Sequence, residues 1–356
     1  MPRLRLVYLS AFLSPFRSGA EAMVEEVSVR LVDQFDVTIV TARLKRSSAR
    51  HDHLQKVRVI RVGFGLPIDK YLFPILAPIR CLFLRPHIIH AVLESYAGLA
   101  LVGCRFTVPW AKRVLTLQST NTSFLLGPIH RSAGVITAIS NALVERARQF
   151  GRDDVVLIPN GIDLQLIQKA CATHPKDSGC VLFVGRLEPM KGVDVLLNAF
   201  AKAIVGLSPD IHLRIVGDGS QSATLKNLAK ELEIDHRVTF TGRVNHQAVL
   251  EEFARAEIFC GLSRSEALGN VFLEAQASGC AVIATNVGGI PDIVKDRESG
   301  LLVPPDDVDA SADAIKSLLS DPSLRAKLSL SGKKGIERYD WDAVTAMFLI
   351  EIYNRI

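Results

Sequence analysis

The sequence predicts an α/β fold built from two doubly wound parallel-sheet domains. Its 356 residues exceed one ordinary domain and suit two of about 150–180 residues each. Short Val/Ile/Leu-rich runs alternate with helix-period segments, and this alternation occurs twice, on either side of a polar stretch at residues 173–179. Continuous apolar runs are typical of strands buried on both faces of a parallel sheet. We therefore expect domains at residues 1–172 and 173–340, with a cleft between them.

The expected strands and helices follow from these patterns. The strand candidates are residues 4–10, 36–42, 57–63, 87–92, 112–118, 134–140 and 155–161, then 180–186, 211–217, 237–242, 258–263, 280–286 and 300–305. The clearest helical patterns are residues 20–35, 193–206, 222–234, 246–256 and 309–321. In open α/β sheets ligands bind at the carboxyl ends of strands, near helix N-termini, so the chemistry is expected there.

Charge is distributed unevenly along the chain. The net charge is +5, but residues 1–175 carry 22 Lys and Arg against 12 Asp and Glu. The densest cationic stretch, at residues 43–61, is interpreted either as a solvated loop or as attraction to an anionic membrane or a phosphate-bearing acceptor. Nucleic acid is disfavoured as a partner, because no aromatic residues interleave with the basic ones.

The composition bears on location. Residues 71–84 are the most apolar stretch, but two prolines, Arg80 and a length of 14 argue against a membrane span. They are expected either to dip into a membrane surface or to pack in the core. The six cysteines lack metal-ligand spacing and are expected to be free thiols in a reducing compartment. The predicted location is cytoplasmic, including peripheral association with the inner face of the membrane.

Residues 266–274 (EALGNVFLE) are the first candidate site. They follow a strand candidate and open a helix near Gly269, where Gly269 and Asn270 would present backbone N–H groups to a pyrophosphate. Glu266 would accept from sugar hydroxyls, and Glu274 from ribose hydroxyls. The structural alternative is a solvated helix face.

Residues 185–192 (GRLEPMKG) are the second candidate site. Gly185 allows a tight turn after the strand, and Gly192 precedes a strong helix. Arg186 and Lys191 would then stand at the carboxyl end of a strand, where fixed cations stabilise a departing diphosphate. The alternative is a surface pair forming salt bridges.

Two further strand–helix junctions carry weaker signals. Gly217-x-Gly219 imitates a dinucleotide fingerprint but lacks the third glycine, so NAD chemistry is weakly supported and a turn lining a nucleotide site is favoured. Ser18-Gly19 lies between the first strand and the first helix, where glycine lets a ligand approach the backbone. His90, near the end of its strand, is interpreted as structural or as facing the cleft.

Other chemistries lack their motifs. The sequence contains no HExxH, no tight His/Asp cluster, no GxSxG and no GxxxxGK[ST]. It therefore predicts no metal site, no hydrolase triad and no P-loop ATPase.

Taken in order, the motifs resemble a known family. PNGID (residues 159–163), GRLEPMKG, IVGDG (215–219), EALGNVFLE, VGGIPDIV (287–294) and GLLVPPD (300–306) occur in that sequence. This set is similar to the retaining GT-B glycosyltransferases of glycosyltransferase family 4, most densely over residues 137–340. The resemblance implies a first domain for the acceptor, a second for the nucleotide-sugar, and a C-terminal segment, residues 341–356, that returns to the first domain.

The resemblance also implies roles for individual residues. Catalysis would rest on Glu266, Arg186 and Lys191. The residues implied to bind the donor are Gly19, Gly185, Arg186, Lys191, Gly217, Arg243, Val244, Glu266, Leu268, Gly269, Asn270, Val271 and Glu274. The family retains anomeric configuration and usually needs no divalent metal. No cofactor is expected, the co-substrate being a UDP- or GDP-sugar and the acceptor a glycan, a lipid-linked sugar or a small molecule.

The acceptor-side domain departs from the family pattern. Many members carry two glycines where this chain has Ser18-Gly19, a second His where it has Val92, and a His where it has Gln118. We assign Ser18, His90 and Gln118 to the acceptor side. These changes leave open a catalytically impaired nucleotide-sugar-binding protein, and a sugar-nucleotide epimerase of the same fold is the other alternative to a retaining glycosyltransferase.

Overall fold

The computed structural model describes residues 3–16, 18–123 and 125–356. The chain divides into two compact units, unit 1 (Met1–Gly161 with Trp341–Ile356) and unit 2 (Ile162–Asp340). Each is an α/β unit around its own parallel sheet, as the alternation of apolar runs and helical segments predicts.

The sheet of unit 1 has eight strands in the described residues, in the order β3-β4-β2-β1-β5-β6-β7-β8. Seven run parallel, and β3 pairs antiparallel with β4 at the edge. In chain order the strands are β1 (Leu4–Leu9), β2 (Phe35–Ala42), β3 (His51–Leu54), β4 (Val57–Val62), β5 (Ile88–Val92), β6 (Lys112–Leu117), β7 (Val135–Ala138) and β8 (Val155–Leu157).

The helices of unit 1 cover this sheet. They are α1 (Gly19–Arg30), α2 (Asp69–Leu84), α3 (Tyr96–Thr107), α4 (Leu126–Ser132) and α5 (Asn141–Arg148), and the C-terminal segment adds the helix Trp341–Met347 and a π-helical turn, Phe348–Tyr353.

The C-terminal segment belongs to the core of unit 1. Trp341, Phe348 and Tyr353 are buried in the same apolar cluster as β1 and α1. A Cβ at Gly161 would lie 2.5 Å from the Trp341 ring, so the glycine of the PNGID motif makes room for this tryptophan. The C-terminal segment thus returns to the first unit.

Unit 2 contains a six-stranded parallel sheet in the order β11-β10-β9-β12-β13-β14. Its strands are β9 (Cys180–Val184), β10 (His212–Val216), β11 (Val238–Gly242), β12 (Ile258–Gly261), β13 (Ala281–Thr285) and β14 (Leu301–Val303). The strand order reverses between β9 and β12, which start adjacent halves of a doubly wound sheet. Such a reversal is where α/β proteins bind ligands.

Four of the helices of unit 2 begin at side-chain caps. Asp163, Asn245, Asp307 and Asp321 each accept a hydrogen bond at about the ideal length, 2.9 Å, from a backbone N–H of the first turn. The helices are α6 (Leu164–Thr173), α7 (Val193–Ala203), α8 (Ser222–Glu231), α9 (His246–Arg255), α10 (Asn270–Ala277), α11 (Ile290–Ile293), α12 (Val308–Ser320) and α13 (Pro322–Lys333).

The domain limits differ in detail from those expected. The expected boundary after residue 172 falls at the end of α6, whereas the structure groups α6 with unit 2. The physical reason is that α6 packs on α9 and α10, and its Cys171 thiol lies 3.8 Å from the Ser278 carbonyl oxygen.

All thirteen strand candidates correspond to strands of the structure, and the five clearest helices are present. Among the described residues, the strand that the sequence patterns do not predict is β3 (sequence HDHL), whose polar residues at an exposed edge give no apolar pattern. Residues 71–84 form most of α2, and no helix in the described part of the chain is long and apolar enough to cross a membrane. All six cysteines are free, as expected.

Candidate functional site

The turn after β9 carries the GRLEPMKG motif. The Gly185 N–H donates to the Val216 carbonyl oxygen over 3.0 Å, and the chain then enters a 3-10 turn, Pro189–Lys191. Gly192 has φ +64 and begins α7, and a Cβ there would lie 2.0 Å from the Leu262 carbonyl oxygen. No other residue fits this position, so the glycine fixes where Lys191 stands relative to the end of β12.

Lys191 and Glu266 form an ion pair. Lys191 ends the 3-10 turn after β9, and Glu266 lies in the loop between β12 and α10, so the two come from the strands on either side of the reversal point. Their side chains are 18% and 16% exposed, which leaves the pair accessible but largely shielded from water. A charge pair in such surroundings is stronger than on an open surface.

The VGGIPDIV segment holds the backbone of Glu266. The Gly289 N–H donates to the Glu266 carbonyl oxygen over 3.1 Å. Gly288 has φ +55, and a Cβ there would lie 1.8 Å from the same oxygen. Gly269, with φ +91, caps α10, and a Cβ on it would lie 3.1 Å from the Glu266 Cγ. Three glycines therefore lie against Glu266, two at its backbone carbonyl oxygen and one at its side chain.

Arg264 is a residue that the sequence analysis missed. Its backbone N–H donates to the Met190 carbonyl oxygen over 2.8 Å, and its guanidinium donates to the Pro189 carbonyl oxygen. The same guanidinium pairs with Asp194 (Nη2–Oδ2 2.7 Å) and Asp306 (Nε–Oδ1 2.6 Å). Hydrogen bonding to Asp194 raises the pKa of Arg264. Through these contacts Arg264 connects the turn before Lys191 with the loop that carries Glu266. The connection persists at every ordinary pH, because arginine stays charged.

The residues of α10 lie as the sequence predicts. Asn270 is the first residue of the helix and Glu274 lies in its second turn, both partly buried. The Leu268 side chain is buried in the core and Val271 is partly buried. The polar groups at this end of the helix therefore include the backbone N–H groups of the first turn and the partly buried Asn270 side chain, with Glu274 one turn further along.

Gly217, in the turn after β10, allows the ends of neighbouring strands to approach one another. Gly217 has φ +136, its N–H donates to the Gly242 carbonyl oxygen over 2.9 Å, and a Cβ on it would lie 1.8 Å from the Gly185 carbonyl oxygen. These contacts give a structural reason for the glycine at position 217. Arg243 is exposed and Val244 half-buried, directly after β11.

Arg186 lies two residues after the end of β9 and is exposed. Two residues on, the Glu188 carboxylate accepts hydrogen bonds from the Ser220 hydroxyl (2.5 Å) and N–H (3.1 Å), which lower the pKa of Glu188. The carboxylate is thereby tied to the loop after β10. The carboxyl edge of the unit 2 sheet thus carries most of the predicted donor-side residues, namely Gly185, Arg186, Lys191, Gly217, Glu266 and the start of α10.

The predicted acceptor-side residues of unit 1 have defined partners. The Ser18 N–H donates to the Glu21 carboxylate over 2.8 Å, forming the N-terminal cap of α1, which begins at Gly19. The Gln118 side chain exchanges two hydrogen bonds with Asn160, at 2.8 and 2.9 Å, which connects the end of β6 with the PNGID motif.

His90 lies in the interior of unit 1, with no exposed surface. Its Nδ1 lies 2.6 Å from the Tyr353 hydroxyl and its Nε2 lies 2.6 Å from the Thr116 hydroxyl, and burial lowers its pKa to about 3. Both ring nitrogens are thus engaged, and the residue is neutral. These surroundings favour the structural alternative over a role at the acceptor. Val92, where the family often has a second His, is buried in the same core.

One group of possible metal ligands occurs among the described residues. Asp177, Cys180 and His212 approach each other at the amino-terminal ends of β9 and β10, the edge opposite the candidate site. Burial raises the Cys180 thiol pKa to about 12, so the thiolate that a metal requires is disfavoured. His212 already contacts the Asp177 carboxylate at 3.1 Å and the Asp210 carbonyl oxygen at 2.9 Å.

Comparison with family models places both units among known glycosyltransferases. Residues 17–166 match the model for Glycosyltransferase Family 4, and residues 167–335 match the model for Glycosyl transferases group 1. The structure resembles sucrose-phosphate synthase from Thermosynechococcus elongatus, with a TM-score of 0.85 and 23% identity over 99% of both chains. It also resembles Anabaena HepE in complex with UDP and glucose, with a TM-score of 0.80 and 19% identity over 99% of this chain and 100% of HepE. These likenesses show the GT-B fold.

Two curated relatives are more similar in sequence. The phosphatidyl-myo-inositol mannosyltransferase of Mycolicibacterium smegmatis is 32% identical over 277 residues, which cover 76% of this chain and 70% of the relative. The D-inositol 3-phosphate glycosyltransferase of Saccharomonospora viridis is 35% identical over 218 residues, covering 57% of this chain and only half (50%) of the relative. Together with the two family models and the fold, these matches show that the chain belongs to glycosyltransferase family 4.

Proposed function

We propose that this chain is a retaining glycosyltransferase that moves a sugar from a UDP- or GDP-sugar onto a hydroxyl acceptor. The observation that carries the proposal is the Lys191–Glu266 ion pair at the carboxyl edge of the unit 2 sheet. The pair lies at the same sheet edge as the exposed Arg186 and the start of α10, where a diphosphate would meet cations and backbone N–H groups.

The chemistry that we propose uses the two charges of the pair separately. The bond between the anomeric carbon and the β-phosphate oxygen breaks while the acceptor hydroxyl oxygen forms a bond to the same carbon. The acceptor's proton passes to the departing nucleoside diphosphate, on which negative charge develops. Lys191 and Arg186 stabilise that charge, which lowers the barrier directly and requires no metal. The Glu266 carboxylate, released from Lys191, accepts a hydrogen bond from a hydroxyl of the transferred sugar. Retention of configuration is the family's usual outcome, and we extend it to this chain.

Glu274 has a separate proposed role in donor binding. It lies in the second turn of α10, eight residues after Glu266, in a helix whose N-terminus would face the diphosphate. Its carboxylate would accept from the ribose hydroxyls, while Arg243 and Val244 would line the base. These contacts are the same in ground and transition states, so they contribute to affinity more than to rate.

The acceptor is proposed from the names of the relatives. A phosphatidyl-myo-inositol mannosyltransferase and a D-inositol 3-phosphate glycosyltransferase both have acceptors that contain inositol. Inositol phosphate and phosphatidylinositol are therefore the first acceptors to test, before other glycans and lipid-linked sugars. We place the enzyme in the cytoplasm, in peripheral contact with the membrane.

Two alternatives to a glycosyltransferase predict different outcomes when donor and acceptor are supplied. One observation favours a catalytically impaired binding protein. His90 and Val92 are both buried, so neither presents to the acceptor the histidine that many family members carry at the position of Val92. It would bind nucleotide-sugars without turnover. A sugar-nucleotide epimerase would change the sugar of the donor without transferring it.

The decisive experiment combines binding with product analysis. Thermal unfolding is followed with UDP, GDP, ADP and their sugars, without added metal. A nucleotide at 100 times its dissociation constant should stabilise the protein by about 2.7 kcal/mol. The stabilising donor is then incubated with each inositol acceptor, and the new glycosidic bond is assigned by NMR. A product with the donor's anomeric configuration supports the proposal, whereas binding without any product favours the impaired protein.

A further inference from the structure

We infer that unit 1 docks on an anionic membrane through the 64–68 loop and the outward face of α2. The inference does not depend on the donor site, which lies in unit 2, so either proposal can fail without the other. It identifies the surface through which the enzyme would reach a lipid-borne acceptor.

Helix α2 exposes apolar side chains where a helix of a water-soluble protein normally places polar ones. Phe73, Ala77 and Cys81 recur every four residues and are completely buried. The opposite face is apolar as well. The exposed set, called here the apolar surface, comprises Phe64, Leu66, Ile68, Tyr71, Ile75, Ile79, Leu82 and Phe83. Their exposed fractions range from 39% to 72%. Tyr71, Ile75, Ile79 and Leu82 recur every three or four residues of α2, which places them on one face of the helix.

The loop that precedes α2 is held in shape by Asp69. Its carboxylate Oδ2 accepts hydrogen bonds from the N–H groups of Phe64 (2.7 Å), Gly65 (2.7 Å) and Leu66 (3.1 Å), while Asp69 itself is fully buried. Gly63 has φ +117, and a Cβ there would lie 2.4 Å from the Asp69 Cγ. With its backbone donors satisfied internally, this loop can enter an apolar medium at less cost than an open loop.

The end of α3 extends the apolar surface. Phe106 and Trp110 are 77% and 55% exposed. The neighbouring Thr107 hydroxyl donates to the Pro78 carbonyl oxygen over 3.3 Å, so this end of α3 lies beside the middle of α2. Tryptophan and tyrosine favour the boundary between lipid headgroups and acyl chains.

Cations border the apolar surface, and acids are missing from it. Between Asp52 and Glu94 the sequence has six Lys and Arg but only one acid, the buried Asp69. Arg46 lies against the loop, because a Cβ at Gly65 would be 2.8 Å from the Arg46 Cα. Lys70 lies over the Tyr71 ring at 5.0 Å. Surrounding charge of one sign would repel a second copy of this face, whereas anionic headgroups are attracted to it.

The test is co-sedimentation of the full chain with vesicles. One set contains phosphatidylcholine alone, and the other contains equal parts phosphatidylcholine and phosphatidylglycerol. We expect binding to the anionic set that is at least tenfold tighter at low ionic strength and weakens as salt is added. Equal binding to both sets, or binding to neither, would overturn the inference.

Variants separate the apolar from the cationic contribution. Phe64→Ser with Ile75→Ser should lower binding to anionic vesicles at least tenfold, while Leu330→Ser, an equally exposed leucine of unit 2, should leave it unchanged. Arg46→Gln with Lys70→Gln should remove most of the preference for anionic lipid. Lys169→Gln, an exposed lysine of unit 2, is its matched control.

Asp69→Asn tests whether membrane docking requires the hydrogen bonds that the Asp69 carboxylate accepts from the 64–68 loop. An amide is a weaker acceptor than a carboxylate for three N–H groups, so hydrogen exchange at residues 64–66 should become faster and vesicle binding should fall. If this variant does not fold, the serine variants still decide. Retained thermal shifts with nucleotide show that each variant is folded. Vesicle binding that survives the serine changes, together with a dimer that they dissociate, would instead identify the apolar surface as an interface between copies.

Discussion

Arg264 forms a two-point ion pair with Asp194, in which Nη1 and Nη2 lie 3.0 and 2.7 Å from Oδ1 and Oδ2. The pair connects the loop that carries Glu266 with the first turn of α7, immediately after Lys191. Since both of its carboxylate partners already occupy the guanidinium, Arg264 is placed to position the Lys191–Glu266 pair and not to bind phosphate itself.

The first prediction concerns Arg264. In Arg264→Gln the turn before Lys191 loses its support, so the KM for the nucleotide-sugar should rise and kcat should fall, with a combined loss of about tenfold to a hundredfold in kcat/KM. Arg264→Lys should recover little, because an ammonium group cannot make the two-point contact. Steady-state kinetics measure both effects.

The control for this prediction is Arg297→Gln. The Arg297 side chain is 88% exposed, and its Nε lies 3.8 Å from the carboxylate of its sequence neighbour Asp296. It therefore forms a surface ion pair of the kind that contributes little. A folded Arg264→Gln enzyme with the kinetics of the Arg297→Gln enzyme would show that the ion pair has no positioning role.

The second prediction contrasts Lys191 with Glu274. Lys191→Ala removes a charge that meets the developing diphosphate, so kcat should fall by about two to three orders of magnitude. Glu274→Ala removes a ground-state contact, so it should weaken donor binding by about 1–3 kcal/mol with a smaller change in kcat. Single-turnover kinetics and calorimetric titration with the donor separate the two. Wild-type values in both variants would refute the assigned donor site, and Lys169→Ala provides the surface control.

The third prediction uses two glycines in similar conformations. Gly335 has φ +72 and open space around its Cβ position, so Gly335→Ala should cost only the backbone strain, about 1 kcal/mol. Gly288 has φ +55, but the added Cβ would collide with the Glu266 carbonyl oxygen at 1.8 Å. Gly288→Ala should therefore cost more stability and also reduce transfer, because it displaces Glu266.

Urea unfolding and transfer assays on the two alanine variants measure this difference. Equal free energies of unfolding together with equal transfer rates would mean that the loop around Glu266 adjusts without consequence, contrary to the prediction.

How much the sequence could predict depends on the range of the interactions. The strands that precede the candidate residues are defined by local apolar runs. The sequence alone therefore places Arg186, Lys191, Glu266 and Glu274 near one sheet edge. Arg264 could not be found in this way, because its partners Asp194 and Asp306 are distant in sequence and single ion pairs have no periodic signature. The signal that was present is its place two residues before Glu266.

His90 illustrates a different gap. Its strand could be predicted, and so could its place near the strand's carboxyl end, but its burial depends on Tyr353, which returns from the far end of the chain. The exposed face of α2 is a similar case. The apolar run was visible in the sequence, but which residues face outward depends on the packing of α2 against α3.

The fourth prediction follows from the burial of His90. Its pKa is about 3 in the folded protein, against about 6.5 in an unfolded chain, so between these values the unfolded state binds more protons. The stability that the neutral residue contributes is therefore complete above about pH 6.5 and declines as pH falls, by about 1.4 kcal/mol per unit. Thermal unfolding should show a steeper loss of stability from pH 7 to pH 5 in the wild type than in His90→Gln, whose side chain does not titrate. The variant is expected to be less stable at pH 7, where the Tyr353 and Thr116 hydrogen bonds are weakened, and closer to the wild type at pH 5. Parallel pH profiles for the two proteins would show that His90 does not titrate as its burial requires.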